Sequence, residues 1–202
     1  MQSVAYACTM SASGSHHSLE PSPWIVRFAH LVPADGRVLD LACGHGRHAR
    51  HFGGRGARVL AVDRDADALS TLAGIRGVET RLADLEAAGW PLGDERFDAI
   101  VVTNYLHRPL FAPMLAALAP DGVLLYETFA AGHEAYGRPS NPAYLLERNE
   151  LAEVLGKRLT IVAFEQGHSR TQGHDAVVQR VAAVGTARAW PPLLRADAGA
   201  AA

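Results

Sequence analysis

The chain has 202 residues, 49% of them hydrophobic and 20% charged, with a formal net charge of −2. That length suits one α/β domain whose core forms without staples, and the near-neutral balance without a basic run speaks against an extended polyanion as partner. Two cysteines, Cys8 and Cys43, give neither a disulfide framework nor a metal spacing; with no signal-like start and no apolar run near the roughly 18 residues that span a bilayer, the expected location is the cytoplasm.

The stretch up to about Glu20 is rich in Ser, Ala and His and has no period, so residues 1–21 are expected to be a flexible tail. Pro23 to Val32 has helical apolar spacing and stops at Pro33. Arg37–Leu41 reads as a buried strand, Gly46 to about Phe52 as a helix, and Ala57–Val62 as a second strand closed by Asp63. Asp65–Ala73 places Ala66, Leu69, Leu72 and Ala73 on one helical face. Val78–Leu82 and Phe97–Val102 are the third and fourth strands, Pro109–Leu118 a helix, and Gly122–Tyr126 the fifth strand. A Gly- and Pro-rich loop covers Ala130–Pro142, and Leu145–Leu155 reads as helix. Arg158–Phe164 and Ala176–Val184 are late strands joined by a polar surface connection, Glu165–Asp175. Residues 186–202 are expected to be a loose tail, which leaves 22–185 as the domain.

Strands alternating with helices imply a mostly parallel sheet with helices on both faces. The last two strands have no helical crossover, so they pair as an antiparallel hairpin at the edge. In such a sheet a ligand sits beyond the carboxyl ends of the strands. The first of those ends is the turn Asp40-Leu41-Ala42-Cys43-Gly44-His45-Gly46, whose small residues Ala42, Gly44 and Gly46 let a ligand approach the backbone. Gly44-His45-Gly46-Arg47-His48-Ala49 also fits the dinucleotide pattern G-x-G-x-x-G/A. Asp40 decides between them: a carboxylate there repels a pyrophosphate and suits a cationic ligand without phosphate, such as S-adenosylmethionine (SAM). Asp63, about 20 residues after the glycines, suits ribose hydroxyls, and Asp84 with Leu85 suits an adenine edge and face.

These residues resemble a known family. Val38–Arg47 resembles motif I of the class I SAM-dependent methyltransferases. Ala61-Val62-Asp63, Ala83-Asp84-Leu85, Phe97–Val101 and Leu118–Leu125 resemble the segments around their second to fifth strands. The likeness covers about residues 22–185, with Ala42 where many members have Gly. It implies a Rossmann-like class I methyltransferase sheet of seven strands, with SAM as methyl donor and S-adenosylhomocysteine as product. The small size is loosely similar to the tellurite-resistance-type methyltransferases.

On the acceptor side, Asn104 and Tyr105 follow the fourth strand and face the reactive methyl, with Asn104 also a cofactor contact and His107 a candidate base. Glu127, Tyr136 and Arg138 are candidate substrate residues, the last two as the lining of a lid. No metal ligand set appears. The expected acceptor is a small molecule, with nucleic acid disfavoured and a monomer or homodimer equally compatible. The alternatives are a tRNA or protein methyltransferase, an NAD-dependent oxidoreductase, and a non-enzymatic binder that keeps the SAM pocket.

Overall fold

The computed structural model describes residues 19–87, 89–156, 158–171 and 174–194. Seven strands form one sheet in the order β3-β2-β1-β4-β5-β7-β6. They are β1 Arg37–Leu41, β2 Arg58–Asp63, β3 Val78–Leu82, β4 Phe97–Thr103, β5 Leu118–Phe129, β6 Leu159–Thr171 and β7 His174–Gly185. β1 to β5 run parallel, and β7 pairs antiparallel with both β5 and β6. The expected hairpin therefore closes the sheet with its second strand inside and its first at the rim.

The central strands are buried on both faces, as near-continuous apolar runs require. In β1 the side chains alternate between two cores. Val38 joins Ala61, Val101 and Leu125 under α1 (Pro23–Phe28) and α2 (Arg47–Gly54). Leu39 and Leu41 join Ile100, Leu124, Met114 and Leu151 under α4 (Phe111–Ala117) and α5 (Glu150–Leu155). α3 (Ala66–Ser70) is capped by Asp65, which accepts from the amides of Asp67 and Ala68.

Several elements differ from expectation: α3 stops at Ser70 rather than Ala73, and β5 runs from Leu118 to Phe129 rather than Gly122 to Tyr126. The polar stretch 165–175 is not a surface loop: β6 and β7 stay paired from Leu159↔Gly185 to Thr171↔His174. Beyond the body this ribbon has no core to cover, so its side chains are polar and ion-paired, with Asp175 meeting His168 at 2.7 Å and Arg170 at 3.0 Å. The helix expected from Leu145 starts only at Glu150, because Leu146 bridges Ala130 in extended form and Asn149 turns left-handed. The first part of the expected loose C-terminal tail is tied down: the Arg188 guanidinium donates to the carbonyls of Leu31 and Asp121. The rest of that tail (195–202) and residues 1–18, with Cys8 and His16-His17, lie outside the described residues. Among the described residues no helix is long and apolar enough to cross a membrane.

Candidate active site

The turn after β1 is held by its own amides. Cys43 N donates to Val62 O, and Gly46 N donates back to Cys43 O. Gly44 N donates to Asp63 Oδ2 at 2.7 Å, while Asp63 Oδ1 accepts from Asp65 N at 3.0 Å. The end of β2 thus clamps the tip of the turn. α2 begins at Gly46, which has φ +69° and no side chain to cap with. The missing cap comes from Asp40, whose Oδ2 accepts from Ala49 N at 2.8 Å, the position an N-cap oxygen normally serves. Asp40 is 1% exposed. Burial pushes its carboxyl up to about 7 against the pull of the Ala49 amide and of Arg47.

Above the turn lies a cavity of about 770 Å³ that runs across the carboxyl ends of β1 to β5. Adjacent strands stand about 4.8 Å apart, so β3 to β5 spans roughly 19 Å. The cavity is chemically asymmetric along that line. Asp63, Asp65, Asp84 and Glu86 gather at the β2–β3 end, with Leu85 buried among them. Thr103, Thr128, Phe129, Pro139 and Tyr144 form the β4–β5 end. Arg47, at the first turn of α2, and Arg64 are the guanidinium groups in the wall. Gly44 has φ +53°, and a Cβ built there meets nothing within 4 Å, so any side chain at this position would enter the space a ligand needs. Cys43 also lines the cavity; burial and the charges of Asp40 and Asp63 push its thiol up, so it stays protonated.

Of the residues singled out in the sequence, Ala42, Gly44, Asp63, Asp84, Leu85, Asn104 and Tyr105 line the cavity. Asn104 stands at φ +55° with its amide fixed on Glu127 O. The Tyr105 hydroxyl finds no hydrogen-bond partner among the described residues. Burial and the nearby Glu86 and Asp84 push it up, so it is a donor rather than a base.

The others lie elsewhere. Asp40 and Gly46 sit beneath the turn, one capping α2 and the other packed on Leu72. His107 is half-buried outside the cavity wall, before the 3-10 turn Arg108–Leu110. Glu127 shares the sheet face of Val123 and Leu125 and is spent on structure: it accepts from Ser22 Oγ and pairs with Arg180 at 2.7 Å. Tyr136 stacks on His168 of the ribbon, and Arg138 is exposed, with its carbonyl engaged by His133. The loop does line the cavity, but through Pro139 and Tyr144. Sequence reasoning missed these two, along with Arg47, Thr103, Thr128 and Phe129. The last three stand at strand ends, where the carboxyl-end rule already pointed; nothing in the sequence marks Pro139 or Tyr144.

Comparison with known proteins agrees with this architecture. Residues 38–122 match the model of a methyltransferase domain. TehB from Haemophilus influenzae superposes with a TM-score of 0.66 at 20% identity, over 80% of this chain and 61% of that one. A 1,6-didemethyltoxoflavin-N1-methyltransferase from Burkholderia thailandensis, solved with its substrate and S-adenosylhomocysteine bound, gives 0.58 at 24% identity over 81% and 76%. Ribosomal RNA small subunit methyltransferase H of Methylocella silvestris is 41% identical over 75 residues, 33% of this chain; the chain spans 22% of that protein's length. The matched segment is similar to a methyltransferase domain, and the fold is similar to that of solved SAM-dependent methyltransferases. Among those structures, TehB has a similar fold.

Proposed function

We propose that this chain transfers a methyl group from SAM to a small-molecule acceptor. The observation that carries the donor is where the glycine-turn amides go. Dinucleotide folds aim such amides at a pyrophosphate. Here Gly44 N is taken by Asp63, Gly46 N by Cys43 O and Ala49 N by Asp40. Phosphate would meet two carboxylates where it needs donors. A nucleoside without phosphate fits: Asp63 accepts from ribose hydroxyls, Asp84 and Leu85 meet adenine, and Arg47 pairs with a carboxylate. Tyr105 offers a free hydroxyl donor to the same ligand. SAM supplies an already activated methyl, so the residues of the chain have to orient two partners and exclude water rather than activate the donor.

A small acceptor is supported by charge. Asp65, Asp84 and Glu86 are exposed at the rim of the cavity, and such a rim repels a phosphate backbone. The second reading, methyl transfer to RNA, draws on the short match to the ribosomal RNA methyltransferase.

Calorimetric titration tests the donor: S-adenosylhomocysteine binds and NAD does not. Binding of NAD alone refutes the reading. Transfer of labelled methyl to RNA, with none to small molecules, would decide for the second reading.

A further inference from the structure

The geometry points to an acceptor subsite at the β4–β5 end of the cavity that takes a planar, uncharged heteroaromatic molecule and methylates it at a ring nitrogen. The inference rests on the methyltransferase reading above and adds the acceptor class to it.

Three apolar walls meet there: Phe129, Pro139 and Tyr144. Each is fixed by a neighbour that stays outside the cavity. The buried His133 ring stacks on Phe129 with centroids 4.1 Å apart and planes at 21°. Its Nδ1 accepts from Val177 N, which leaves the proton on Nε2 to donate to Arg138 O at 3.2 Å. One imidazole therefore sets both Phe129 and the residue before Pro139. Tyr144 is set by Arg108, which donates to the carbonyls on either side of it, Ala143 O at 2.8 Å and Leu145 O at 2.9 Å, while pairing bidentately with Glu150. A stacked Phe129 ring and two few-rotor side chains on backbone that is fixed at Arg138 and on either side of Tyr144 frame a slot for a flat ring.

The acids of the cavity belong to the other end, so this end offers a charged acceptor no partner of its own. Thr103, Thr128 and Asn104 supply hydrogen bonds to ring heteroatoms. The sequence candidate for a general base, His107, does not line the cavity, nor does the candidate substrate residue Glu127, and Tyr105 stays protonated. Thr103, Thr128, Phe129, Pro139 and Tyr144, which line this end, include no general base, so it suits an acceptor that attacks with a lone pair carrying no proton. An sp2 ring nitrogen does so: its lone pair forms the new N–C bond, the C–S bond breaks with its electrons left on sulfur, and the positive charge passes from sulfur to the ring.

Ligand-observed NMR on the protein saturated with S-adenosylhomocysteine tests this with three probes: quinoline, quinoline-2-carboxylate and piperidine. Quinoline binds, and Phe129→Ala or Tyr144→Ala weakens it about three- to tenfold each, the worth of one ring contact. With SAM in place of the product, labelled methyl appears on the quinoline nitrogen. Preference for the carboxylate or for piperidine, or no binding of quinoline, overturns the inference. Failure of S-adenosylhomocysteine itself to bind would instead remove the reading beneath it.

Discussion

Gly44 and Gly46 both have positive φ and sit two residues apart in the same turn, yet their substitution by alanine is expected to fail for different reasons. At Gly46 a Cβ would lie 2.5 Å from both Leu72 methyls and 2.9 Å from its Cγ, and Leu72 is 1% exposed with nowhere to move. The left-handed backbone costs an L-residue about 1–2 kcal/mol, and forcing a methyl into a packed core adds about 1–3 kcal/mol. Gly46→Ala therefore loses about 2–5 kcal/mol, which for a chain of this size is a fall in Tm of roughly 4–20 °C. Gly44→Ala carries only the first cost, because its Cβ faces open space; the methyl points where ligand must come, and the loss appears in S-adenosylhomocysteine affinity. Thermal melts and calorimetry on both variants separate the two. The steric part is isolated by Leu72→Ala, which leaves room for the new methyl. The double variant Gly46→Ala/Leu72→Ala should be more stable than the sum of the single losses by about 1–3 kcal/mol. Additive losses, or a Gly46→Ala variant no less stable than Gly44→Ala, would refute the packing argument.

Other expectations follow from the same geometry. The Asp40 carboxyl is raised from 3.8 to about 7 in the folded chain; the unfolded chain releases the proton first, so stability falls as pH rises through that window and is level above it. Asp40→Asn keeps an oxygen for the Ala49 amide and removes this slope. Urea titrations should find the variant more stable than the parent above neutral pH, by up to about 4 kcal/mol, and the gap closing near pH 4; equal slopes would show that the buried carboxyl is not the cause. Ala42 stands at φ +55°, so Ala42→Gly relieves about 1–2 kcal/mol of backbone strain against about 0.4–1 kcal/mol of added freedom in the unfolded chain. Its Tm should rise by roughly 1–4 °C, and a fall would show that the turn does not strain Ala42. Arg108→Ala strips the carbonyls beside Tyr144 and leaves Glu150 unpaired. It should cost about 1–3 kcal/mol and bring protease cuts, mapped by mass spectrometry, into residues 130–149; an unchanged cleavage map would mean that the loop is held by other contacts.

Much of the fold was legible because apolar periodicity reports burial directly. The runs at 37–41, 58–62 and 97–102 have to be central strands: no other arrangement buries both their faces. Glycines and prolines between them mark the reversals. The polar ribbon at 165–175 was not legible, because a strand exposed on both faces carries no apolar period. Backbone pairing with a neighbour is invisible in composition. The late start of α5 escaped notice for a similar reason, since Leu145 and Leu146 fit a helix equally well until Ala130 is beside them.

The sequence by itself determined the class of ligand site: acids and small residues at successive strand ends follow from chain order alone, since parallel strands bring those ends together. Only the tertiary structure decided which acid does what. Asp40 was the residue that tipped the sequence reading towards SAM, yet it lies under the turn and caps α2, because the first residues of a helix leave amides that a buried carboxylate nearby will satisfy. Asp63, which the sequence assigns to ribose hydroxyls, spends both its oxygens on turn amides while facing the cavity. The acceptor end depended on tertiary structure throughout. Phe129, Pro139 and Tyr144 are distant from motif I in sequence and are brought to the cavity by His133 and Arg108, contacts between side chains and loop carbonyls that no local pattern encodes.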